Sequence, residues 1–247
     1  MKFSLICKLS LLAVPLYFAT TGCKKVYITN VYSDSCRTCC DTTKRDTTKH
    51  GTVIPTGPYV EKTVMLFGRP AFNGTSYPYR AFIAGRWTVN GTWYTYRSVF
   101  YTTVPLPVKD SSVLKSAKLK LYSDPHPAGN GDGTAANLGS NNAFYIRRVN
   151  GYQDITTISS IGWLNQPGTT TVNQVLVPHT NQGYLDLEVD VTDIVKQVIA
   201  DGDKSGALGF MAQLVDESEQ YNIRIFCSTD QADNTKFPRL VLQYKTK

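Results

Sequence analysis

From Tyr59 onward the chain alternates apolar and polar residues in short runs, which Gly, Pro and Asn interrupt about every 8 to 12 residues. A period of two cut at such intervals predicts an all-β domain, an antiparallel sandwich or barrel. Strands are expected near 62–67, 79–89, 92–104, 116–122, 142–149, 183–191, 207–214, 222–228 and 239–245. Only Asp190-Val-Thr-Asp-Ile-Val-Lys-Gln-Val-Ile-Ala-Asp-Gly changes to a helical period. It places Val191, Val195, Val198 and Ile199 on one face, with Thr192 or Asp193 to cap its start and Gly202 to end it.

One turn also sets a register. Val89-Asn90-Gly91-Thr92 is a two-residue hairpin signal, because Asn-Gly suits the positive φ angles of a type I′ turn. Pairing Val89 with Thr92 sets Trp87 opposite Tyr94 and Gly85 opposite Tyr96, with Ile83, Ser98 and Phe100 on the same face. That face is the more apolar and is expected in the core. The other carries Arg86, Thr88, Trp93, Thr95, Arg97 and Tyr101.

Before the β domain the pattern differs. Residues 1–22 have a basic start at Lys2 and Lys8, an apolar run from Leu9 to Ala19, then Thr20, Thr21 and Gly22 before Cys23. This is the form of a secretory signal, and Pro15 interrupts a run already too short for a membrane span of about 20 apolar residues. Thr-Thr-Gly-Cys resembles the lipobox of bacterial lipoproteins, with Thr20 where that pattern usually has Leu. The resemblance implies lipidation of Cys23 and a membrane anchor, with the bacterial outer membrane as the expected location, facing the periplasm or the surface. The other reading is an ordinary cleaved signal. Residues 23–58 lack a sustained apolar period and repeat Asp41-Thr-Thr-Lys-Arg as Asp46-Thr-Thr-Lys-His, which reads as a flexible tether. The Asp-Thr-Thr units also resemble a bacterial O-glycosylation acceptor. Cys36, Cys39 and Cys40 lie there with only His50 nearby, short of the two ligand pairs zinc usually takes; a disulfide is the more natural fate outside the cytoplasm. Cys227, in the apolar run Ile223-Arg-Ile-Phe-Cys, is expected to be buried.

The formal charge of +7 weakens as a nucleic-acid signature once it is divided along the chain, for the part from Gly51 onward holds 18 basic against 16 acidic residues. A near-neutral domain lacks the basic stripe that phosphate backbones require. Tyr, at 15, is abundant and Met, at 3, is scarce, a usage that favours strands.

Several segments carry a family resemblance. Asp190-Val-Thr-Asp-Ile-Val with Gly202, Leu208-Gly-Phe-Met leading into Ile225-Phe-Cys-Ser, and Pro238-Arg-Leu-Val-Leu-Gln-Tyr look like the closing segments of the DNRLRE domain. Ser116-Ala-Lys-Leu-Lys-Leu-Tyr resembles its mid-domain strand, and Ile161-Gly-Trp-Leu-Asn-Gln-Pro its Thr-Trp-Asn-x-Gln-Pro segment. The likeness covers 59–247. It departs at Arg97-Ser-Val-Phe-Tyr-Thr-Thr-Val, which lacks the family's Phe-Asp-Leu ending. It implies a jelly-roll β-sandwich with one short helix, related to carbohydrate-binding modules of secreted polysaccharide-handling proteins.

Candidate chemistry follows from these placements. Trp93 and Tyr101 beside Arg86 and Arg97 form the kind of set that binds glycans: flat rings stack on sugar faces, and guanidinium pairs with hydroxyls or uronate carboxylates. The competing reading is a packed outer strand covered by the Gly-rich segment. Asp186, Glu188 and Asp190 share a strand face at steps of about 7 Å, the raw material of a glycosidase pair, but outward polar residues on a half-buried strand explain them as well. Asn130 and Asp132 in the Gly-rich stretch offer calcium one carboxylate, a poor cage, so no cofactor is expected. His50, His126 and His179 lie in the tether or in Pro-flanked turns, and no Ser has nucleophile-elbow context. The expectation is a non-catalytic envelope lipoprotein that binds a polysaccharide, an acidic one if the Arg residues take part. The alternative is a structural or assembly subunit with an envelope protein as its partner.

Overall fold

The computed structural model describes residues 57–72, 81–127, 135–151, 161–202 and 208–246. The signal segment, Cys23, nearly all of the tether with Cys36, Cys39, Cys40 and His50, and the pair Asn130 and Asp132 lie outside them. Among the described residues eleven strands and one α-helix follow in order: β1 (Tyr59–Phe72), β2 (Phe82–Val89), β3 (Thr92–Thr102), β4 (Leu114–Leu121), β5 (Asn137–Leu138), β6 (Phe144–Val149), β7 (Thr169–Val177), β8 (Leu187–Asp190), α1 (Thr192–Ala200), β9 (Gly209–Leu214), β10 (Asn222–Phe226) and β11 (Arg239–Lys245).

All pairings are antiparallel, and they form two faces of a β-sandwich. The first runs β8-β4-β11-β1. Strand β1 then crosses over: Tyr59 to Met65 pair with β11, and Leu66 to Phe72 pair with β3. The second face continues β1-β3-β9-β6-β7, with β2-β10-β5 attached along the first half of β3. The alternation in β4 shows why these residues make such a layer, since Ala117, Leu119 and Leu121 are buried while Ser116, Lys118 and Lys120 point outward. Phe82, Phe100, Phe144, Phe210 and Phe226 from the second face meet them in one apolar core. Burying a side chain of this size stabilises by about 1.5 to 3 kcal/mol, which is what holds the layers together.

Helix α1 seals one end with Ile194, Val195 and Val198, and Gly202 follows it at φ +63°, as its pattern predicts. Its start differs from expectation. The N-cap is Val191, without a side-chain cap. Thr192 Oγ1 instead accepts from the Ala117 amide at 2.9 Å, and the Thr192 amide donates to Asp190 Oδ1 at 3.0 Å. Strand β7 escapes the sequence pattern because it is an edge strand with Val177 its single buried residue, and Asn173 interrupts its alternation at φ +59°.

Cys227 is buried, 1 % exposed. Desolvation, with Asp124 nearby, pushes its thiol up to about 12, and its Sγ lies 3.6 Å from the Ser123 carbonyl oxygen. Iodoacetamide at about pH 8 should therefore leave Cys227 unmodified in the native protein and alkylate it in urea, read by peptide mapping. Rapid alkylation of native protein would contradict this burial.

Candidate functional site

The hairpin forms in the expected register, with Asn90 at φ +49°, Gly91 at φ +78°, and Trp87 opposite Tyr94. Its two faces divide less simply than the pattern implies. Phe100 joins the main core, but Tyr96 and Ile83 sit in a separate apolar cluster with Ile223, Ile225 and Ala136. The change occurs at Ser98, wholly buried, whose hydroxyl donates to the Ile83 carbonyl oxygen at 2.9 Å and also accepts from the Ile83 amide. This side chain closes the ladder at the point where β2 leaves the edge of β3 and β9 takes its place.

Nor is the outward face of β3 open along its length. Tyr101 is 2 % exposed, packed with Ala71, Val99, Val149, Ile161 and Met211. Its ring lies over Gly209, where a Cβ would stand 2.3 Å from the Tyr101 Cε1. Burial pushes its phenol up, and the hydroxyl has no hydrogen-bond partner among the described residues. Tyr101 is thus a core residue and cannot stack on a sugar, a correction to the sequence reading. Arg97 is similarly engaged. Its Nε and Nη2 grip the Glu217 carboxylate at 2.8 and 2.6 Å, Nη1 donates to Gln166 Oε1 at 3.2 Å, and the guanidinium lies 4.7 Å over the Trp163 ring. Arg97 therefore ties two loops to β3, with a bidentate partner already in place. This too departs from the sequence reading.

What remains of the expected set gathers at the hairpin end of the domain. Arg86 donates through Nη1 to Thr95 Oγ1 at 2.8 Å and lies 6.0 Å over the Trp93 ring, while its Nε has no acceptor among the described residues. Tyr221, half exposed at 50 %, meets Trp93 edge-on at 4.7 Å and Trp87 at 5.3 Å. Trp87 and Trp93 are each half-buried. Tyr221 holds a left-handed backbone at φ +60°, unusual for a bulky residue and costing on the order of 1 kcal/mol or more. The surrounding bonds impose it. Asn222, wholly buried, accepts from the Asn141 amide at 2.7 Å, and Gly139 at φ +100° lies so close that a Cβ there would be 2.3 Å from the Tyr221 carbonyl oxygen. Trp87 was expected in the core and Tyr221 lies in a loop without periodicity. The positive φ that brings its ring to the tryptophans has no local sequence signal.

The carboxylate series offers no pair of equal standing. Asp186 is bonded to Lys236 at 3.3 Å, Glu188 to Lys120 at 3.2 Å and Asp190 to Lys118 at 2.8 Å. Lys118 and Thr192 hold the Asp190 carboxyl at about 2, below the range of a proton donor at neutral pH. Asp190 borders a groove of about 580 Å³ between β4, β7 and the start of α1, with Lys115, Asn173 and Asp193 also on its walls. No family model matches the chain, and no curated protein matches it.

Proposed function

We propose that residues 59–247 are a non-catalytic polysaccharide-binding module and that the rim formed by Trp87, Trp93, Tyr221 and Arg86 is its binding face. The observation that carries this reading is the strained, half-exposed Tyr221 set edge-on against two half-buried tryptophans. Aromatic planes fixed by packing offer apolar area to the C–H faces of a sugar at small entropic cost, and Arg86 supplies donors for its hydroxyls or for a uronate. The likeness to the DNRLRE domain supports the same class. Lipidation at Cys23 with the following tether would present the module at the bacterial outer membrane. Each of the three aligned carboxylates is held by a lysine, which argues against hydrolysis at that row.

One observation favours a second reading, an assembly subunit that docks on an envelope protein. Leu164 is 99 % exposed on a loop braced by the Gln166 Nε2 bond to the Trp163 carbonyl oxygen and by Arg97. Leu164 is the most exposed large apolar side chain among the described residues, and on this reading it is the docking contact.

Affinity gels loaded with neutral and acidic polysaccharides decide between them. Retardation of the wild type is expected, with Trp93→Ala and Tyr221→Ala each weakening it about tenfold or more while circular dichroism stays unchanged. A folded wild type that no polymer retards would sink the glycan reading, and loss of an envelope partner in Leu164→Asp would then establish the other.

A further inference from the structure

Among the described residues the largest wholly buried side chain is an arginine. Arg224 is 0 % exposed and lies on the inward face of β10, against the Phe144 ring at 5.4 Å and the Phe226 ring at 5.7 Å. Its neighbours across the sheet are Ala84 and Asn137. A guanidinium has five N–H donors and cannot shed its charge as a lysine can. Burial pushes it down only to about 10, so it is cationic at neutral pH. Nη1 has one long bond, 3.4 Å, to the Pro178 carbonyl oxygen. Among the described residues Nε and Nη2 have no acceptor, and no ion pair reaches Arg224. On the same face, Asn137 donates to the Gln182 carbonyl oxygen at 3.1 Å while its buried Oδ1 lacks a donor.

Arg97 shows what such a group binds. There the same two nitrogens, Nε and Nη2, hold both oxygens of one carboxylate. In Arg224 this planar pair of donors faces a low-dielectric interior, where an uncompensated charge costs several kcal/mol. Charges in that setting are paired or coordinated. We infer that Arg224 is the receptor for one small monovalent oxyanion held inside the sandwich, of the size of formate or bicarbonate. Two parallel N–H···O bonds match a planar oxyanion better than a spherical halide. Asn137 adds an acceptor on that face, which favours an anion carrying its own proton, and so bicarbonate over formate. The site is separate from the aromatic rim and does not depend on the glycan reading. Its anion stabilises the fold.

The test is thermal unfolding of the full chain in formate, bicarbonate, chloride or gluconate at fixed ionic strength. Binding to the native state alone raises the midpoint with ligand concentration, by about 5 to 10 °C at roughly a hundredfold excess over Kd in a domain of this size. A saturable rise in formate and bicarbonate, little or none in chloride and gluconate, and its disappearance in Arg224→Met and Arg224→Lys is the expected result. Should either variant fail to fold, the wild-type anion series still decides. Equal midpoints in all four salts, a rise in chloride alone, or the same rise in a folded Arg224→Met protein would each overturn the proposal.

Discussion

Phe100→Ala should cost about 3 to 5 kcal/mol of folding stability, read as a fall in the urea midpoint at unchanged slope. The ring is wholly buried, stacked on Phe82 at 4.9 Å and tilted against Phe210 at 5.7 Å, so its removal strips contacts from both neighbours at once. Relaxation is restricted. Directly across the ladder stands Gly68, where a Cβ would lie 2.2 Å from the Val99 carbonyl oxygen, and it has no side chain with which to fill the space. Against a usual total of about 5 to 15 kcal/mol, the loss is a large fraction. Phe100→Leu keeps most of the volume and should cost about 1.5 kcal/mol or less. A cost below about 1 kcal/mol for the alanine variant would show that the two faces of the sandwich do not close on this ring.

Arg97→Ala is the second, with an expected loss of about 2 to 3 kcal/mol. The guanidinium and the Glu217 carboxylate are only 23 % and 21 % exposed, so removing one partner leaves the other partly desolvated and unpaired. Gln166 and Trp163 lose the group that holds their loop as well. Glu217→Ala should cause a similar loss, and the double variant should cost clearly less than the sum, since the two act as one unit. Polysaccharide retardation per folded molecule should not change. If Arg97→Ala were fully stable yet abolished retardation, Arg97 would belong to the binding face and the assignment above would be reversed.

These two residues mark the boundary of what local pattern conveys. Strand period, the hairpin register from Asn90-Gly91, the helix ending at Gly202 and the burial of Cys227 all follow from short-range rules, because backbone dihedrals and alternation act within a few residues. An all-β domain after residue 58 was legible for that reason. The inner and outer faces of β3 were not. Alternation says that odd and even residues part company, and nothing more. Whether Tyr101 meets solvent depends on Met211 and Ile161, and whether Arg97 is available depends on Glu217, 120 residues away. The short strand β5 and the exposed edge strand β7 left no clear period to read, and the crossing of β1 from one face to the other lies in its partners, not in its own residues.

The sequence alone therefore determined the kind of layer this chain builds, since side-chain period and turn chemistry are properties of adjacent residues. Tertiary structure decided which polar groups remain available. It gave Arg97 a carboxylate, buried Tyr101 and set Tyr221 against two tryptophans. It also placed Arg224, in a run that reads as an ordinary apolar strand, against two phenylalanine rings, with no carboxylate paired to it among the described residues. The physical reason is the same throughout: the burial and pairing of a charge are set by whatever folds over it, and in this sandwich those groups come from strands and loops remote in sequence.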